Sequence, residues 1–165
     1  MTIDCKRLLL VAVLAFATAS LPLEAARRVH VIGGGQGTFG SDLDGDGDID
    51  GSHFGIGVEI VGTDAKGHFT CLMAGNKDFL GLHLMLVEGT VESGAANPVV
   101  GSAVFRGSGT LHIDENKQDV TFVVTILHEG GAGVGQFQLT VFDRSGVVIA
   151  AFPPETVETG QISIH

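Results

Sequence analysis

From residue 28 onward, apolar and polar positions alternate in short runs. Gln136-Phe137-Gln138-Leu139-Thr140-Val141-Phe142 puts Phe137, Leu139 and Val141 on one side and Gln136, Gln138 and Thr140 on the other. That two-residue period belongs to a strand with one wet face. Phe54, Ile56, Val58 and Ile60 share a side opposite Glu59, and Phe69, Cys71 and Met73 share one opposite His68 and Thr70. Leu82, Leu84 and Leu86 continue the pattern, and Thr121–Leu127 is rich in the β-branched residues that suit a pleated surface. Between these runs lie turn-forming clusters at 62–67, 94–98, 114–117, 130–133 and 143–146. The pattern predicts strands over 28–33, 53–62, 67–74, 82–92, 99–113, 118–128, 135–143, 146–152 and 156–164. It leaves room for one short helical turn, near Asn76-Lys77-Asp78-Phe79.

About eight or nine short antiparallel strands with tight connections predict an all-β fold, a single antiparallel β-barrel with a β-sandwich as the alternative. A barrel removes exposed edges, and Val29–Ile32 and Ile162–Ile164 are the natural partners to close it. Gly101, Gly107 and Gly109 interrupt the long 99–113 run, which predicts a bulge or a sharp bend there. The chain holds no Trp and no Tyr, so it lacks the aromatic girdles of an outer-membrane barrel.

Residues 1–26 read as a secretory signal peptide. Lys6 and Arg7 precede the apolar run Leu8–Ala17, which is too short to span a bilayer. Cleavage fits either after Ala17-Thr18-Ala19 or near Ala25-Ala26, beyond Pro22. Residues 27–165 are then one β-barrel domain of about 139 residues, long enough to bury a core without staples. Its only cysteine is Cys71, which excludes an intramolecular disulfide.

The formal net charge is −10, which argues against nucleic acid and anionic membrane surfaces as partners. Much of that charge sits in residues 42–53, Asp-Leu-Asp-Gly-Asp-Gly-Asp-Ile-Asp-Gly-Ser-His. Asp42, Asp44 and Asp46 take positions 1, 3 and 5 of a D-x-[DN]-x-[DN]-G calcium loop, and Gly47 takes the turn position 6. Asp48 at position 7 offers its carbonyl, Ile49 at position 8 is the apolar anchor, and Asp50 at position 9 binds directly or through water. The expected ion is Ca2+. Magnesium fits less well because it demands a tighter octahedron, and an empty solvated loop is the alternative. Position 12, which should be a bidentate Glu, is His53, a poor ligand for a hard cation. Another group must close the site, or affinity is low; Glu59 and Asp64 are the nearest acids downstream. The loop lies between two strands, without the flanking helices of an EF-hand, and it occurs once; its likeness to dockerin modules covers only these dozen residues.

Further chemistry is sparse. His68 and Cys71 lie three apart in a strand and so face opposite sides, which predicts a buried, inert Cys71. The histidines at 30, 53, 68, 83, 112, 128 and 165 form no local ligand motif. No serine sits in a nucleophile elbow, and Gly33-Gly34-Gly35-Gln36-Gly37 lacks the Lys-Ser/Thr of a phosphate loop. Glu59, Glu88, Glu92 and Asp119 are the acids that could pair for acid–base work.

Val31-Ile32-Gly33-Gly34-Gly35 at the start and Gly160-Gln161-Ile162-Ser163-Ile164-His165 at the end bracket Gly67–Gly75, Val120–Thr125 and the Gly130–Gly135 turn. In this order the motifs resemble a group of small secreted bacterial β-domains, some of them called post-COAP domains. The resemblance covers most of residues 27–165. It implies secretion and a β fold, supplies no catalytic residues, and makes the aspartate loop an insertion. The functional expectation is a secreted calcium-binding β-domain with a structural or interaction role. The alternative is a small-ligand site, or an enzyme, in the barrel mouth.

Overall fold

The computed structural model describes residues 27–43, 50–74, 84–113 and 116–165. These form ten strands: β1 Arg28–Thr38, β2 Gly51–Val61, β3 Asp64–Ala74, β4 Leu84–Asn97, β5 Ser102–Ile113, β6 Asn116–His128, β7 Gly130–Gly131, β8 Gln136–Phe142, β9 Val148–Ala151 and β10 Glu155–Ile164. All lie in one antiparallel sheet, and β10 pairs back to β8, closing a ring of eight strands in the order β10-β1-β2-β3-β4-β5-β6-β8. The fold is the expected all-β, antiparallel class. The helical turn expected near Asn76–Phe79 falls outside the described residues.

The first and last strands pair as their sequences require, Val31 opposite Ile164 and Gly33 opposite Ile162. The seam on the other edge of β10 is assembled from short pieces. Glu155 and Thr156 face Phe137 and Gln136. Val157 donates to Gly135 O and accepts from Gly133 N, both at 2.8 Å. Gln161 and Ile162 then face Gly131 and Gly130, and Glu129 Oε2 accepts from Ile164 N at 2.7 Å. β9 and β10 both flank β8, separated by Phe152-Pro153-Pro154. Proline lacks the N–H a ladder needs, so the edge breaks there.

Alternation fills the ring. On β2 the even residues Phe54, Ile56, Val58 and Ile60 are buried, and on β8 the odd residues Phe137, Leu139 and Val141 are. Phe69, Phe105, Phe122, Phe137 and Phe152 are fully buried. Each contributes about 1.5–3 kcal/mol of transfer free energy. The bulge expected within the 99–113 run falls on its neighbour β4 instead, and β5 pairs with β6 without a shift. The β4–β5 register slips between Val91 and Ser93, opposite Gly107. A Cβ on Gly107 would stand 2.1 Å from Thr90 O and 2.6 Å from the Phe122 ring, so only glycine lets the strands and that ring come so close.

Several boundaries differ from the periodicity. β1 continues through Gly33-Gly34-Gly35 to Thr38, because each residue finds a partner on β2. Gly94–Asn97, expected as a turn, continues β4 against Ser102–Phe105. The Gly62–Gly67 turn shrinks to Gly62-Thr63, with Asp64 paired to Val61. Gly130-Gly131, expected as a turn, adds a short strand at the seam.

Candidate functional site

The acidic segment connects β1 to β2. Thr38 and Gly51 form the last ladder pair, and Phe39 N donates to Asp50 O at 2.8 Å. The connection therefore runs over 39–50 and not as far as 53. Gly51, Ser52 and His53 are the first residues of β2. His53 lies on the exposed outer face, its Nε2 3.4 Å from Gln36 Nε2. The position-12 residue of the motif thus lies in the strand, on its outward face.

Asp50 is buried, and its Oδ2 accepts a 3.0 Å bond from Leu43 N. One carboxylate thereby ties the two ends of the acidic segment together. Asp42 is half-buried. Asp44, Asp46 and Asp48 lie outside the described residues, so of the five expected ligands the structure places Asp42 and Asp50. Among the described residues, no group of three or more His, Cys, Asp or Glu side chains stands close enough together to hold a metal ion.

Ser52 and Glu155 form a polar pair in the inner wall that the sequence did not announce. Ser52 is inward-facing and 3% exposed, and its Oγ donates to Glu155 Oε2 at 2.6 Å. Glu155 is 1% exposed, and its Oε1 has no hydrogen-bond partner among the described residues. Burial pushes its carboxyl up to about 7, outweighing the side-chain and backbone hydrogen bonds from Ser52. Cys71 is fully buried, and its thiol is pushed far up by burial and by the nearby Glu155. It faces away from the exposed His68, as their spacing required.

The remaining candidates are occupied one by one. Glu59 Oε2 meets Arg28 at 3.2 Å and its Oε1 meets Lys66 at 3.0 Å. The Lys66 bond first, then the nearby cations, hold this carboxyl below its usual range. Glu88 lies 3.5 Å from His112, Glu92 accepts from Ser108, and Asp119 accepts from Arg144. No two of these four acids form an acid–base pair with each other. His30 stacks on His165 at 5.8 Å. The six described histidines all reach the surface in part or in full, and His83 lies outside the described residues. A concavity of about 550 Å³ lies on the outer face over β2–β6, lined by Gly57, His68, Thr70, Glu88, Thr90 and Lys117. It is open and shallow, with no convergent buried polar group.

No known protein family, no curated protein and no solved structure matches this chain.

Proposed function

We propose that this protein is a secreted β-domain that binds one calcium ion in the β1–β2 connection and serves a structural or interaction role. The observation that carries the reading is the Asp42-x-Asp44-x-Asp46-Gly47 spacing in a segment whose ends are tied by Phe39, Leu43 and Asp50. Asp42, Asp44 and Asp46 would ligate through their side chains, Asp48 through its carbonyl, and Asp50 through the oxygen that Leu43 does not engage or through a water. Like charges at every second position repel until a cation sits among them, so binding favours the folded loop by mass action. Secretion rests on the basic and apolar pattern of residues 1–26, together with the resemblance to post-COAP domains. Millimolar extracellular calcium suits a loop that lacks the position-12 glutamate.

The alternative, a ligand site in the barrel mouth, calls for an interior cavity with convergent polar groups. The five buried phenylalanines that fill the ring weigh against it. Calorimetric titration of calcium into EDTA-stripped protein of residues 27–165 tests the main reading. One-to-one binding is expected, with a rise in Tm that Asp44→Ala plus Asp46→Ala abolishes. A rise that survives the double substitution would remove these residues from the site. For secretion, N-terminal sequencing of the exported chain should find a start after residue 19 or near residue 26; a retained Met1 would overturn it.

A further inference from the structure

The calcium reading leaves Glu155 unused. Its Oε2 is held by Ser52, and its Oε1 is shut off from water with no partner among the described residues. Around it stand Gly37 of β1, Ser52 of β2, Cys71 of β3 and Phe137 of β8. None of these side chains carries positive charge. Asp50, two residues before Ser52 and also buried, brings no positive charge either. A carboxylate accepts at several lone-pair sites, and this one finds its donors on Ser52 alone; the neutral acid tolerates such surroundings far better.

Its position gives ionisation something to act on. Glu155 is the first residue of β10, immediately after Pro153-Pro154, and faces Phe137 across the pairing that closes the ring. The prolines interrupt the ladder on one side, and the direct β8–β10 pairing consists of Glu155 with Phe137 and Thr156 with Gln136.

We propose that Glu155 is a proton latch on this end of the ring: neutral, it sits against Ser52 and the β8–β10 seam stays closed; ionised, it drives the seam at 136–137 and 155–156 to open so that the carboxylate reaches water. The proton passes to solvent, and calcium plays no part in the step. The carboxyl titrates at about 7 when closed and near the ordinary 4.5 when open. Between those values the closed state holds a proton that the open state has lost. The opening constant therefore rises up to about tenfold per pH unit, and it levels off above pH 7.

Amide hydrogen exchange on EDTA-treated protein, corrected for the intrinsic pH dependence, reads this directly. The amides of Phe152 and Val157, which bond Leu139 O and Gly135 O, report the seam. Their opening should climb about tenfold per unit from about pH 5 to 7 and then flatten, and should exceed that of the β3–β4 ladder at every pH. Glu155→Gln cannot ionise and should abolish the slope. Ser52→Ala keeps the acid but removes a donor to its charged form, so the plateau should move to higher pH. Infrared difference spectra should show a neutral carboxyl band lost around pH 7 in the unaltered protein and missing from Glu155→Gln. A seam without excess pH dependence, an unchanged slope in Glu155→Gln, a plateau that Ser52→Ala moves downward, or seam amides no faster than the β3–β4 ladder would each overturn the latch. Loss of calcium binding would leave it untouched.

Discussion

The connection between β1 and β2 crowds five aspartates between positions 42 and 50, whereas Glu155 is buried in the inner wall beside it. In the proposed reading the crowded charges of the first group call for a cation. The second is one carboxyl with donors on Ser52 alone, and burial raises its pKa. Asp143 marks the opposite extreme: its Oδ1 accepts from Ser145 N, Ser145 Oγ and Val147 N in an exposed turn. The Ser145 and Val147 bonds hold its carboxyl below the usual range. The number of donors and the amount of water around a carboxyl thus decide which role it suits, the proposed metal ligand, the proposed proton latch or the turn clasp at Asp143.

The largest effect that breaks this contrast comes from Phe137, whose ring packs against Phe54 at 4.7 Å and lies beside Glu155. Phe137→Ala should cost about 3–5 kcal/mol by chemical denaturation, the range for a buried aromatic. Any water admitted to the space would also bring the Glu155 titration down toward 4.5, visible in the infrared band. Next comes the pH dependence of stability. The folded pKa of Glu155 lies above the unfolded value, so stability is fully present below about pH 4.5, falls as pH rises, and is lowest above pH 7. The span is roughly 3 kcal/mol for this one group, and Glu155→Gln should flatten that component in urea titrations across the same range. A smaller effect belongs to the aspartates. Calcium at about one hundred times its Kd should add about 2.7 kcal/mol, and Asp44→Ala plus Asp46→Ala should remove it.

The two groups of acids also differ in how far the sequence revealed them. The aspartates announce themselves through spacing alone, because a metal loop draws its ligands from consecutive residues. Glu155 does not. Counting back by twos from the buried Ile164 and Ile162 places residue 155 on the outer face. The structure buries Glu155 and Val157 instead, because Glu158 is an extra residue on β10 opposite the Gln36/Gly37 step and reverses the strand's parity. Alternation read from sequence carries no information about such a slip. The same limit explains the boundaries. β2, β3 and β8 were legible because their own residues alternate. Gly94–Asn97 and Gly130-Gly131 became strand because a neighbouring edge was there to pair with. The burial of Cys71 is legible because parity and apolar neighbours agree within one unbroken strand.

The smallest expected effect tests where the acidic loop ends. As a twelve-residue calcium loop it would close on His53, and replacing that residue would change affinity in one direction or the other. The ladder places His53 two residues inside β2, opposite Gln36 and facing outward. Asp50, the buried residue that bonds Leu43, is therefore the last group that can organise the segment. His53→Ala should leave calcium affinity and the calcium-induced rise in Tm unchanged. Asp50→Asn keeps an oxygen for Leu43 N but removes a charge, and should weaken calcium binding with little loss of metal-free stability. Calorimetry on the two variants separates the cases: an affinity change in His53→Ala would return position 12 to the loop, and an unaltered affinity in Asp50→Asn would reduce Asp50 to a structural tie.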